Sequence, residues 1–328
     1  MTAEASAQSA QPARRVGLAL AIVCAIAVAF ACAATATAGD DAPAAIELAP
    51  GVFMVRGSGG LAEPANGGRI GNSGFIVGDG GVIAIDTGTS YRHGRALLAR
   101  IAQTTDQPVR LALVTHVQPE FLFGANAFRE RGIPIRMHRE AASLMTARCE
   151  NCLKNLKLAL GDEAMAGTTM FEPDQVFDQT HGLSQWGRSV RVIYLGHSSG
   201  PGDVAVLDES SGVLFAGGLL DDHRIPDVQD SDLVGWRNAL ARLRDLPVRR
   251  IVPGHGGVTS AASIGAMARY LSDLQSRVTE LLNAGASLSE APEAAGLPDF
   301  AAWDQYDTIH RRNASIVYIR LERELLYK

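Results

Sequence analysis

The chain has 328 residues, 47% of them hydrophobic and 20% charged, with a formal net charge of −5. This composition supports a sizeable core and argues against disorder. No Lys/Arg run extends beyond pairs such as Arg249-Arg250 and Arg311-Arg312, which argues against a nucleic-acid footprint.

The N-terminus reads as a targeting segment. Arg14-Arg15 supplies a positive region, 16–34 is uninterrupted and apolar, and Ala36-Thr37-Ala38 offers a small-x-small cleavage site. Residues 1–38 are therefore expected to be a signal peptide, with the mature protein in the periplasm. The apolar stretch is Ala-rich and weak for a span, so membrane attachment follows only if the signal stays uncleaved.

A strand is expected over 46–56 with a turn at Pro50-Gly51, then a hairpin of buried strands (74–77 and 82–86) around Gly78-Asp79-Gly80-Gly81. The apolar stripe Ala96, Leu97 and Ile101 predicts a helix over 92–102. Next come a strand (111–115), a helix (121–131), a short strand (133–137) and a long helix (139–160). A loop region with a possible helix start follows (161–182). Strands at 190–195, 204–207 and 213–216 precede a helix (233–243), a strand (250–253) and helices at 260–282 and 308–326. This order suits two packed sheets flanked by helices, in one domain spanning 46–326.

Cys24 and Cys32 leave with the signal, so the mature chain keeps Cys149 and Cys152 in the long helix. In an oxidising compartment the pair suits a local disulfide clip, or two reduced thiols. A redox role needs a depressed thiol pKa and an exposed site.

Three histidines follow predicted strands: His116 in Thr115-His116, His197 in Leu195-Gly196-His197, and His255 in Pro253-Gly254-His255. His116-Val117-Gln118-Pro119-Glu120-Phe121 resembles the His-x-His-x-Asp-His signature of the metallo-β-lactamase superfamily, with Gln118, Glu120 and Phe121 at the second His, the Asp and the last His. The resemblance implies a four-layer αβ/βα sandwich and zinc ligands at His116, His197 and His255. It also puts Asp86 at a supporting strand-end position and Gly218 where the family carries its bridging Asp.

Glutamine is a poor substitute for imidazole on zinc, and Phe and Gly offer no donor. At most one zinc ion is therefore expected, or none. The stretches 47–53, 71–78 and 214–226 are similar to secreted quinoprotein relay system zinc metallohydrolases, related to SoxH-type proteins. That branch implies a setting among periplasmic oxidation-system proteins.

Two functions stay open. One is a metal-dependent hydrolase in which Glu120 orients a metal-bound water as general base. The other is a non-catalytic periplasmic protein binding a small molecule or partner in the old cleft. Asp221-Asp222-His223, just past Gly218, is expected to be a solvated loop.

Overall fold

The computed structural model describes Thr2 and residues 44–327. Apart from Thr2, the expected signal peptide lies outside the described residues.

The chain opens with β1 (Ala45–Ala49) and β2 (Val52–Val55), turned at Gly51 with φ +76°. The hairpin β3 (Ser73–Gly78) and β4 (Gly81–Ile85) follows. Helix α1 (Tyr91–Thr104) starts where the Ser90 side chain accepts from the His93 amide, an N-cap. It leads to β5 (Val109–Leu113), which lies parallel to β4.

The expected helix over 121–131 is split into α2 (Pro119–Leu122) and α3 (Ala125–Arg129). Between them the Gly124 amide donates to the Gly88 carbonyl at 2.8 Å, and Thr87 Oγ1 donates to the Phe121 and Leu122 carbonyls. A Cβ at Gly124 would lie 1.9 Å from the Thr87 carbonyl oxygen. The backbone is pinned to the 87–88 loop instead of continuing its helical ladder.

β6 (Ile135–His138) and α4 (Arg139–Leu160) come next. Two short strands, β7 (Gln175–Phe177) and β8 (His181–Leu183), lie where a loop was expected. β7 ends the first sheet, ordered β1 to β7, and β8 begins the second. The second sheet adds β9 (Val190–Tyr194), β10 (Val204–Asp208), β11 (Val213–Gly217) and β12 (Arg250–Pro253), with β12 parallel to β11. Helices α5 (Leu233–Arg244), α6 (Ala261–Asn283), α7 (Ala291–Ala294) and α8 (Arg311–Leu326) complete the chain, with a π turn at Tyr306–His310 before α8.

Three apolar layers hold these elements together. Met54, Ile83, Ile85 and Leu111 of the first sheet share a core with Val192, Val206, Val213 and Val252 of the second. Leu97 and Ile101 of α1 and Met145 and Leu156 of α4 cover the outer face of the first sheet. Trp236 of α5, Met267 and Leu271 of α6 and Val317 of α8 cover the outer face of the second. Each fully buried side chain of this size contributes about 1.5–3 kcal/mol. The architecture is the expected four-layer αβ/βα sandwich.

The chain returns repeatedly to one edge of the sandwich. Asp86 follows β4, Thr115 and His116 follow β5, and 195–203 links β9 to β10. Gly218 to Asp221 follow β11, and His255 follows β12.

Candidate functional site

His116 is held from behind. The Asp86 carboxylate accepts from the Thr115 amide at 2.8 Å and from the Thr115 hydroxyl at 2.9 and 3.0 Å. Thr115 Oγ1 lies 2.8 Å from His116 Nδ1. With its single hydrogen given to Asp86, the hydroxyl accepts from Nδ1–H, which leaves the Nε2 lone pair free. That Nε2 is buried and, among the described residues, has no hydrogen-bond partner. Burial lowers the His116 pKa to about 4, so the ring is neutral. Asp86 reaches this position with φ +59°, a conformation few L residues adopt but Asp tolerates. Burial raises its pKa to about 7.

His255 stands between two carboxylates. Its amide and Nδ1 both face Asp221 Oδ1, at 2.8 and 2.9 Å, and its Nε2 faces Glu120 Oε1 at 3.1 Å. Burial works against the charged ring. The charge and hydrogen bond of Asp221 and the hydrogen bond of Glu120 outweigh it and raise the pKa to about 9. His255 is therefore an imidazolium donating from both nitrogens. Burial alone would raise the Glu120 pKa, but the hydrogen bond and charge of His255 hold it below the ordinary value. Asp221 is buried and is not part of a solvated loop, because this interaction draws it inward. Asp222 accepts from the Ser263 hydroxyl at 2.6 Å. Only the His223 side chain of this trio is largely exposed.

Phe121 packs against both histidine rings, with centroids 4.2 Å from His116 and 5.2 Å from His255. Its ring is buried and presses on Gly71, where a Cβ would come within 2.3 Å of Phe121 Cζ. A glycine at 71 is what makes room for the phenyl group.

His197 makes a different contact. It is exposed, and its Nε2 lies 2.6 Å from the Asp230 carbonyl oxygen. A carbonyl only accepts, so this nitrogen carries the hydrogen. The expected joint site therefore has His116 and His255 around one phenyl ring, while the Nε2 of His197 is committed to the 230 loop.

The position of the family's bridging Asp is filled from outside. A Cβ on Gly218 would lie 2.7 Å from His116 Cδ2 and 3.0 Å from Asp203 Oδ2. Asp203 is buried, accepts from Ser199 Oγ at 2.6 Å, and has its pKa raised to about 7 by burial. Asp203 was not among the expected site residues. Its only signal was its position six residues after His197.

A cleft of about 660 Å³ opens over this edge. His116, Gln118 and Glu120 form one wall, Ser199 and Asp203 a second, and one face of α4 a third. That face includes Arg148, Asn151 and Asn155 and both cysteines.

A family model described as the metallo-beta-lactamase superfamily matches residues 66–255, which enclose the site from Asp86 to His255. The linear primary-alkylsulfatase of Pseudomonas sp. (strain ATCC 19151) is 22% identical over 260 residues, 68% of this chain and 49% of that protein. The chain thus spans about half the length of that curated relative. A solved structure, the metallo-beta-lactamase from Pontibacter korlensis, aligns with a TM-score of 0.58 at 20% identity, covering 70% of this chain and 98% of that one. This likeness shows the fold.

The family typically binds zinc, which takes neutral imidazole nitrogens and carboxylates at about 2.0–2.2 Å, usually four donors around the ion. The donors here do not fit that demand. Both nitrogens of His255 are engaged by carboxylates, His197 Nε2 donates to a carbonyl, and Phe121 packs between His116 and His255. Among the described residues, no group of three or more His, Cys, Asp or Glu is arranged to hold a metal ion.

Proposed function

The chain belongs to the metallo-β-lactamase superfamily, and from that premise we propose that it is a ligand-binding protein that keeps the hydrolase scaffold without its metal chemistry. The observation that carries this reading is Glu120 paired with His255. A protonated imidazole supplies positive charge where the family would place a cation, and a protonated nitrogen has no lone pair for zinc.

The cleft is suited to a small polar organic molecule. His116 Nε2 is a buried acceptor without a partner among the described residues, and a ligand hydroxyl or amine can satisfy it. Gln118, Asn151 and Asn155 add neutral polar contacts, and Leu61, Leu144 and Leu156 add apolar ones. Arg148 and Arg312 in the same lining pair with Asp230 and Asp227, which leaves the cleft's charges largely matched.

The periplasmic setting and the tie to a quinoprotein oxidation system belong to this proposal too. Their support is the N-terminal segment and the resemblance over 47–53, 71–78 and 214–226. One observation favours the alternative of a one-metal hydrolase: the same free His116 Nε2. That reading requires Glu120 to leave His255 and serve the metal.

Zinc analysis of the chain purified after growth in zinc-supplemented medium separates the two. The proposal expects far less than one zinc per chain. It also expects no turnover above buffer on ester, thioester or alkyl sulfate substrates, the last included because a relative is named for it. Stoichiometric zinc with turnover contradicts it.

A further inference from the structure

Cys149 and Cys152 are three residues apart on α4, so their side chains share one helix face. Their sulfurs lie 3.0 Å apart, at thiol hydrogen-bond distance, and both are free thiols. Cys149 is fully buried among the residues of the outer core, beside Met145 and Leu156. Cys152 is only half-buried, and both line the cleft that contains His116 and Glu120. A molecule entering the cleft therefore meets Cys152 first, with Cys149 directly behind it.

We propose that Cys149 and Cys152 form a redox-active dithiol in the cleft wall that exchanges with a small disulfide bound there, Cys152 attacking and Cys149 resolving. The proposal rests on the cleft being a ligand site, as argued above, but not on the absence of metal.

The electrostatics agree with this order. A hydrogen bond from Cys149 stabilises the Cys152 thiolate and outweighs the cost of its burial, and the neighbouring Arg148 guanidinium adds to the effect, so the Cys152 pKa is lowered. The same hydrogen bond, with burial, raises the Cys149 pKa. A lowered pKa on the accessible member of a pair is the property of an attacking thiol.

In the first step Cys152 gives its proton to solvent and its thiolate attacks one sulfur of R–S–S–R′. A Cys152–S–R bond forms, the S–S bond breaks, and R′S⁻ leaves and takes a proton. Cys149 then loses its proton and attacks the Cys152 sulfur, forming the protein disulfide and releasing RS⁻, which is protonated. Two electrons pass from the dithiol to the bound disulfide, and the reverse steps restore the thiols. Closure is compatible with the helix. Cα atoms three residues apart on an α-helix are separated by about 5 Å, within the roughly 4.4–6.8 Å that disulfides span.

The test uses the full chain with Cys24→Ser and Cys32→Ser in every version, the wild type included, so that Cys149 and Cys152 are its two thiols. Glutathione disulfide is the probe, read by intact-mass spectrometry after quenching with an alkylating agent. The wild type is expected to lose two thiols without retaining glutathione. Cys149→Ser is expected to trap one glutathionyl group on Cys152, whereas Cys152→Ser stays unmodified. Cys149→Ala replaces Cys149→Ser if a buried serine prevents folding. Wild type that keeps both thiols while an unfolded control reacts overturns the proposal. So does an adduct on Cys149 in Cys152→Ser that forms as fast as the Cys152 adduct.

A second readout is the pH profile of iodoacetamide alkylation. Its midpoint is expected below the ordinary thiol value of about 8.5 in the wild type and higher in Cys149→Ala. An unchanged midpoint removes the coupling on which the mechanism depends. Zinc content is measured separately, so failure of thiol exchange leaves the metal question standing on its own result.

Discussion

Glu120 Oε1 lies 3.1 Å from His255 Nε2, and the two side chains are only 12% and 3% exposed. Asp221 holds the opposite ring nitrogen at 2.9 Å. The result is a carboxylate–imidazolium–carboxylate row across the edge of the sandwich. Its central cation is part of the protein.

This row gives stability a distinctive pH dependence. The folded pKa of His255, about 9, exceeds its unfolded value of about 6.5. Its contribution is fully present below pH 6.5 and is lost as the pH rises through 9. The shift corresponds to about 3 kcal/mol. Below that window other buried groups oppose one another: Asp86 and Asp203, both raised to about 7, lose stability as the pH rises, while His93 and His116, lowered to about 3 and 4, gain it. Between pH 6.5 and 9 the loss from His255 is opposed by Cys152, whose lowered pKa adds stability as its thiol ionises. In a Cys152→Ser background, chemical denaturation across that range should show falling stability, and a flatter profile once Asp221→Asn is added. Parallel profiles would show that His255 is not charged in the folded state.

Phe121 is a packing residue in this account. Phe121→Ala should lower stability by about 3–5 kcal/mol, the usual cost of deleting a buried aromatic ring, measured as a shift of the urea midpoint at constant slope. A loss under about 1 kcal/mol would mean that the surroundings close over the gap and that the ring is not what separates the histidines.

Gly218 and His116 should be coupled. Because a Cβ at 218 would lie 2.7 Å from His116 Cδ2, Gly218→Ala should destabilise by about 1–3 kcal/mol through overcrowding. In the background of His116→Ala the same substitution should cost much less. Additive effects in the double-mutant cycle would show that the two positions do not meet. The same contact predicts that installing an Asp at 218 does not by itself restore a metal bridge, since the ring must move first.

The sandwich was legible because each returning loop carries its own signal. Gly78-Asp79-Gly80-Gly81 marks a hairpin, and Asp86, His116 and His255 each end an apolar run. The three-residue strands β7 and β8 were not legible, since so short a segment shows no alternation and gains its pairing only from sheet edges already in place. The break at Gly124 depends on Thr87 and Gly88, more than 30 residues away, which local periodicity does not register.

At the site, residue identities were readable but their pairings were not. His255 was assigned to a metal and Glu120 to a metal-bound water, and nothing local to either says that they bind each other. Asp221 was read as part of a solvated loop just past Gly218, yet two contacts to His255 bury it. The cleft-facing pattern of α4 was present in the spacing of Arg148, Asn151, Cys152 and Asn155, a small polar stripe that needed a facing wall before it meant anything.

The most direct measurement of the central claim is the protonation of His255, followed by imidazole ¹⁵N NMR at neutral pH while zinc is added. The account predicts that both ring nitrogens of His255 carry protons and that their resonances stay in place as zinc reaches and passes one equivalent. Loss of the Nε2 proton at one equivalent, with a matching shift of His116 Nε2, would show that the ring releases Glu120 and binds metal, and would contradict it.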